Sequence, residues 1–396
     1  MTGITILDNN FEQLKIFDIY SSLIWCKRYN TVGAIDLEID ANIENINLFK
    51  KNNYIVRDDD NSIYRIEAVE INTDDEGNNS LIIGANDMLI LLNQRIIWNN
   101  FSYTSTAENF IKKLLNDNFV SPEDTDRRVS NLKLNIPVLT TEETNRTTDY
   151  ENVGDKIFEI CAENNLGCKI EFNRQSKELI FSLYKGADRT IYQTKNNQIL
   201  FSPEYDNLFS SKYNLDISEL KNVALISGDD GTLNSYGNET GIDRREMYID
   251  SSIKNDTGST VKYNQALVSK AREEIAKTTN TVSFEGEVDI DIYKYKEDYE
   301  LGDLVTIKNE FGIITNVRIT EIIETWDDTG YTIEPKFEYF ESIEALTITM
   351  ALLTESNEPM ITENNEAILY ENKSFITEDR KKYITTESGL LIDMEA

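Results

Sequence analysis

The chain of 396 residues contains no histidine. That absence excludes Ser-His-Asp and Cys-His catalysis, His-ligated zinc or iron, and a histidine pH switch. Cysteine is nearly absent as well, with only Cys26, Cys161 and Cys168. The three form no CxxC pair and their number is odd, so neither a disulfide framework nor a zinc site follows. Reduced, buried thiols are expected, consistent with synthesis in a reducing cytoplasm. There are five prolines and no apolar run near the ~18 residues of a membrane span. The N-terminus, MTGITILDNNF, lacks the basic region and apolar core of a signal peptide. Basic charge is the largest deficit: 39 Lys and Arg face 71 Asp and Glu, a formal net charge of -32. Such a balance argues against holding nucleic acid by counterion release and against anionic membrane surfaces. It reads first as an acidic, soluble protein that repels its neighbours. No GxGxxG or GxxxxGK phosphate cradle is present.

The residues that are present, 40% hydrophobic and 28% charged, suit globular domains. The length suggests two to four of them. Up to about residue 98 the pattern is one of strands, read as a β-barrel or a strongly curved sheet. SSLIWCKRY leads through the turn NTVG, with Gly33 at the hairpin, into AIDLEI, which alternates at period two. From 99 to 200 the pattern becomes mixed. Ser105-Thr106-Ala107-Glu108 reads as a capping box before Phe110, Ile111, Leu114 and Leu115 at helical spacing. A second helix is expected from Val153 to Asn164, closed by a left-handed cap at Leu166-Gly167. A hairpin, CKIEF and ELIFSLY, follows, and the polar segment 121–148 reads as irregular. From 201 to 345 strands dominate again, with one helix expected over Asn264 to Lys277.

Chemistry is hard to find. Asp58, Asp59, Asp60 and Asn61 could suggest calcium, but no glycine stands near Ser62 to Tyr64, where an EF-hand loop requires one. An acidic hairpin loop is the simpler reading. Gly228 to Gly231, GDDG, reads as a tight turn before it reads as a metal site. Trp25, Trp98 and Trp326 could line a sugar groove, or pack in cores and interfaces, since each lies in or beside an apolar strand. With so many carboxylates, no pair can be selected for glycoside hydrolysis. No catalytic, cofactor-binding or metal-ligating residue is assigned.

The last segment, 346–396, carries a repeat. Leu353-Thr354-Glu355, Ile361-Thr362-Glu363, Leu369-Tyr370-Glu371, Ile376-Thr377-Glu378 and Ile384-Thr385-Thr386 follow one another at steps of 8, 8, 7 and 8. A fixed short period usually means one unit stacked on itself. One octad buries few large side chains, each contributing roughly 1.5–3 kcal/mol. Ordering its eight residues costs on the order of 12 kcal/mol. Strands from other chains could cover the apolar row, so a β-prism or β-helix shared between chains is expected, with a surface β-meander or a flexible tail as the alternative. The expected residues of that interchain interface are Leu353, Ile361, Ile368 and Leu369, followed by Phe375, Ile376, Ile384 and Leu391.

Specific words now stand in order: SLIWCKRYNTVGAIDLEI, LLNQRII, ENVGDKIFEICAENNLGCKIEF, LYKGADRT, ILFSPEYDNLFSSKY, LKNVALISG, GIDRREMYID and YKEDYELGDLVTIKN. Over roughly residues 10 to 340 the chain resembles the baseplate-hub or tail-tip proteins of phages of Gram-positive hosts and of phage-tail-like bacteriocins. The resemblance implies a mainly β fold: two β-barrel hub domains (1–98 and 201–345) around a small α+β domain (99–200), with the repeat tail at 346–396 then read as a trimeric β-prism or β-helix whose trimer-interface residues are those eight. It implies a homotrimer whose two similar domains per chain make a pseudo-sixfold ring, matching a hexameric tail tube to a threefold tip. The partners implied are the tail tube protein, distal tail or baseplate proteins and the tape-measure protein, in the tail tip of a virion or tail-like particle. DNA could pass through the lumen without specific binding, and an acidic lumen would repel phosphate. The resemblance carries no catalytic residue and no cofactor onto this chain. The competing expectation is a cell-wall glycan-binding or peptidoglycan-degrading module, which would need facing carboxylates or exposed tryptophans in a groove.

Overall fold

The computed structural model describes residues 3–339, except 75–76, 140, 256–258, 277, 279–280, 290–291 and 313, together with 350–351, 368–371, 374–377 and 383–384. The chain divides into two compact units, 1–339 and 340–396.

The first unit begins with β1 (Ile4–Leu7), β2 (Gln13–Phe17), β3 (Ser22–Arg28), β4 (Ala34–Asp40), the short helix α1 (Ile43–Leu48) and β5 (Tyr54–Arg57). A long hairpin follows, β6 (Ile63–Thr73) and β7 (Asn79–Asp87). The period-two reading of AIDLEI holds: Ile35, Leu37 and Ile39 are buried, while Asp36, Glu38 and Asp40 face out. At Gly33 a Cβ would come within 2.6 Å of the Cys26 carbonyl oxygen, so only glycine lets the β3–β4 turn close.

The mixed layer holds α2 (Ile90–Asn93), β8 (Ser102–Ser105), α3 (Ala107–Leu115), β9 (Leu132–Asn135), β10 (Thr144–Thr147), α4 (Val153–Glu163), β11 (Gly167–Asn173) and β12 (Glu178–Tyr184). The cap of α3 is one residue later than the expected capping box. Thr106 accepts from the Asn109 N–H, and Glu108 turns away to accept from Leu139 N–H and the Thr141 hydroxyl. The left-handed residue after α4 is Asn165 at φ 55°, and Gly167 instead opens β11. The polar segment 121–148 is not wholly irregular: β9 adds parallel to β12, and β10 pairs with β8. β10 (TNRT) holds no apolar residue to alternate, and the Leu132–Leu134 alternation of β9 is only four residues long, too short a pattern to mark a strand.

The remainder contains β13 (Leu200–Phe201), β14 (Leu208–Asp216), β15 (Val223–Ser227), β16 (Leu233–Tyr236), β17 (Glu246–Asp250), α5 (Thr260–Ala276), β18 (Thr281–Val288), β19 (Leu304–Lys308) and a second long hairpin, β20 (Ile314–Asp327) and β21 (Gly330–Tyr339). A separate sheet, β16-β15-β17, packs on α5 through Ala224, Ile226, Tyr263, Leu267 and Ala271. The GDDG segment is the β15–β16 turn: Gly231, at φ +79°, donates its N–H to the Gly228 carbonyl.

Instead of two closed barrels, thirteen strands form one open sheet, with the path β14-β18-β21-β20-β3-β4-β7-β6-β5-β1-β2, with β19 also beside β20 and β13 beside β19. The strand that joins the halves is β20. Its second part pairs antiparallel with β3, from Glu321 opposite Arg28 to Trp326 opposite Leu23. A shared ladder makes two separate closures impossible.

The two halves repeat one plan. The first runs β3-β4-β7-β6-β5-β1 and the second β14-β18-β21-β20-β19-β13. Each long hairpin has one bulged residue at the same place, between Ile66 and Ala68 in β6 and between Ile319 and Glu321 in β20. Tyr64-Arg65-Ile66 thus corresponds to Val317-Arg318-Ile319. One end pairing differs, since β1 meets β5 antiparallel and β13 meets β19 parallel.

In the second unit β22 (Met350–Ala351), β23 (Ile368–Glu371), β24 (Ser374–Thr377) and β25 (Tyr383–Ile384) pair antiparallel in sequence order within the chain. Leu369 stands opposite Ile376, and Phe375 opposite Ile384. Ile368 lies on the same strand as Leu369. Leu353, Ile361 and Leu391 lie outside the described residues.

Candidate functional site: a three-way joint and two open strand edges

The side chains with the most demanding environments lie where the two halves and the mixed layer meet. Arg57, at the end of β5, is fully buried. Its guanidinium lies between two rings, 4.9 Å from the centre of Trp25 on β3 and 4.8 Å from that of Trp326 on β20. Its nitrogens donate to Asp59 at 2.7 and 2.8 Å and to Glu324 at 2.9 and 3.3 Å. Burial works against the cation, but these two carboxylates outweigh it and raise its pKa.

The acidic run is therefore a junction box for cations. Asp58 accepts from Arg174 of the mixed layer at 2.9 Å. Asp59 and Asp60 meet Lys296 of the second half at 3.2 and 3.5 Å. Asp60 also pairs with Lys27 of β3. Burial opposes the charge on Asp60, yet the Lys27 ion pair and the Ser62 hydrogen bonds hold its carboxyl below the usual range. With every carboxylate of the run matched to a protein cation, calcium is not needed to neutralise it. Trp98 stands apart, half exposed, beneath the Arg127 guanidinium. The three tryptophans do not share a groove.

Tyr29, just past β3, pins the three parts together. Its ring lies against Gly167 of β11 and Gly302 of the second half, where any Cβ would collide with it. Its hydroxyl donates to the Asn165 carbonyl at 3.0 Å. Gly302 sits at φ +96°, which L side chains rarely adopt. Beside it Asp303 accepts from Ala187 N–H at 2.7 Å, Arg189 Nε at 2.6 Å and Glu300 N–H at 3.0 Å. A Cβ on Gly186 would run into the Gly302 backbone. The words LYKGADRT and ELGDLV are thus the two sides of one close backbone crossing.

A cleft of about 460 Å³ opens at this crossing, lined among others by Lys27, Asp87, Lys169, Tyr184, Arg189 and Glu300. Desolvation pushes the Asp87 carboxyl up to about 7, although the Gly33 and Leu89 N–H groups both donate to it. Asp60, Asp87 and Asp303 are all engaged in holding the joint.

A second charged cluster lies between α4 and α5. Glu159, Glu163 and Glu273 bring carboxylate oxygens within 4.8 Å of one another. A protein cation already serves them: the buried Lys156 ammonium lies 3.0 Å from both Glu159 and Glu273 and 3.9 Å from Glu151. Burial, then Glu273 and Glu159, push the Glu163 carboxyl up to about 7. Arg57, Tyr29 and Lys156 were not singled out by sequence reading. A lone basic or aromatic residue in an apolar strand or helix gives no sign that it is a hub of contacts.

The open edges complete the geometry. The first part of β20 is covered by β19 and the second by β3. On β6 the first part is covered by β5, but from Ala68 to Thr73 the outer side has no strand among the described residues. All six of those residues are exposed, including Val69 at 39% and Ile71 at 53%. The outer side of β14 likewise has no strand beside it among the described residues.

A large open β-sheet duplicated within one chain and carrying a mixed α/β layer defines the class, and solved phage tail proteins share the fold. A tail protein from Neisseria meningitidis MC58 matches over 85% of this chain and 96% of its own, at TM-score 0.55 and 12% identity. The 43 kDa tail protein of prophage MuSo2 from Shewanella oneidensis matches over 85% and 98%, at 0.55 and 14%. Prophage tail protein gp18 from Listeria monocytogenes EGD-e matches over 86% and 96%, at 0.52 and 13%. A model of the family described as Siphovirus ReqiPepy6 Gp37-like protein matches residues 3–337, and the chain belongs to that family. Among curated proteins none matches it. The resemblance to phage tail-tip proteins read from the ordered words is borne out in family and fold.

Proposed function

We propose that the protein is a structural hub at the tip of a phage tail, acting as a homotrimer. The observation that carries this reading is the duplicated half-sheet: three chains supply six similar halves, the number needed to meet a hexameric tail tube from a threefold tip. The tail tube protein would lie on one side, distal tail or baseplate proteins and the tape-measure protein on the others. The role is mechanical, not catalytic, because the acidic groups at the joint already hold protein cations or backbone N–H groups. The excess of carboxylates suits a lumen through which DNA passes without adhering. The repeat tail, with Ile368, Leu369, Phe375, Ile376 and Ile384 on its strands, would add to the trimer contacts.

Light scattering on the purified full chain across a concentration series tests the reading. A mass of three chains is expected, and a folded monomer at every concentration would overturn it. A peptidoglycan-clearing assay with the same sample is expected to show no activity, and clearing would favour a cell-wall enzyme instead.

A further inference from the structure

We infer that the outer edge of β6, residues 68–73, pairs antiparallel with β14 of a second copy of this chain, repeating between copies the joint that β20 and β3 make within one. The inference rests on the homotrimer reading above and specifies which strands close it.

The register follows from the duplicated plan. Counting from the shared bulge, Ile66 corresponds to Ile319, so Ala68 to Thr73 correspond to Glu321 to Trp326. Along the sheet, Ile66 leads through Ala85 and Ile35 to Trp25, and Ile319 leads through Phe337 and Phe284 to Tyr213. Tyr213 therefore occupies the register of Trp25. Within the chain Glu324 pairs with Trp25 and Ile323 with Cys26. Between copies Ile71 then falls opposite Tyr213, Glu70 opposite Asn214 and Ala68 opposite Asp216.

Chemistry at the corresponding positions is complementary. The internal joint is stapled by charge: Arg28 to Glu321 at 3.1 Å and Arg57 to Glu324 at 2.9 Å. In the outer joint the place of Glu324 is taken by Ile71, and that of Arg57 by Ile307, since β19 meets β20 as β5 meets β6. Both members of the ion pair have become aliphatic together. The place of Glu321 is taken by Ala68, and that of Arg28 by Asp216, so no like charges face each other. A six-residue edge that exposes Val69 and Ile71 is the kind of unpaired template that proteins normally cover. A head-to-tail contact of this kind closes into a ring when its rotation permits.

The test is disulfide trapping in the full chain. Glu70→Cys with Asn214→Cys places two thiols opposite each other in the proposed register, within the reach of a disulfide. Asn72→Cys with Asp216→Cys is the control, about four residues or roughly 14 Å out of register. Under mild oxidation the first pair should give covalent dimers and trimers and stop at three, while the control gives neither. Ile71→Glu should weaken trimer assembly at least tenfold, and Ile71→Val should leave it intact. A stable trimer by light scattering with no cross-link from the first pair overturns this interface and leaves the hub reading standing. A folded monomer with no cross-link overturns both.

Discussion

Arg57 shows how one side chain can decide whether two halves of a sheet stay together. It is buried, doubly stacked and held by two carboxylates. Replacing it with methionine keeps the stem but strands Glu324, which is almost fully buried. Breaking a buried pair from one side costs about 3–5 kcal/mol. Arg57→Met should therefore lower the denaturant midpoint sharply. Arg57→Met with Glu324→Gln should recover part of the loss, because no buried charge is then left alone. Gly302→Ala tests the close crossing. Its Cβ would meet Tyr29 at a backbone angle that L residues rarely adopt, so about 2–4 kcal/mol of stability should be lost in urea unfolding. Cys26 is expected to be inert to thiol reagents in the native state. Burial and the bond its thiol donates to Glu321 push its pKa up to about 12, and the thiolate is the reactive form.

At the scale of elements, α4 and α5 are joined by charge more than by oil. Lys156, Glu159 and Glu163 come from α4, Glu273 from α5, and Glu151 and Arg146 flank them. Glu163 titrates near 7 in the fold against an ordinary value near 4.5. The folded state therefore binds its proton more tightly than the unfolded state does. Its contribution is fully present below about 4.5 and is lost as the pH rises through 7. Glu163→Gln should flatten the fall in stability over that window and stabilise the chain at pH 8, by on the order of 1–3 kcal/mol. Thermal melts at pH 5 and pH 8 read this directly: a variant with the wild-type pH dependence would show that Glu163 does not hold the extra proton.

For the whole molecule, the duplicated half-sheet matters more than any single site. An internal joint shows the chain how its own strands pair across halves, and the open edges of β6 and β14 offer the same pairing outward. No helix among the described residues is long and apolar enough to cross a membrane. Assembly through these edges should not weaken at high salt, because neither ion pair of the internal joint recurs in the outer one and added salt only screens the repulsion between acidic chains. Light scattering at 0.05 and 1 M NaCl should give the same trimer mass; dissociation at high salt would indicate an interface held by charge.

The sequence by itself determined the local pieces. Period-two alternation placed β4, helical spacing placed α3 and α4, and the ordered words placed the family. Each depends on neighbours along the chain, which is why each was legible. The strands β9 and β10 were missed because β10 has no apolar residue and the two leucines of β9 make too short a pattern to stand out. The absence of histidine settled which chemistries were unavailable before any fold was known. Only the tertiary structure decided that the strands form one open sheet instead of two closed barrels. That outcome depends on β20 meeting β3 almost 300 residues away in sequence. It also decided that Asp58 to Asp60 serve cations from three layers, and that the glycines of LYKGADRT and ELGDLV make room for each other and for Tyr29. Burial, ion pairing and close backbone approach are relations between distant segments, and a linear pattern carries no record of them.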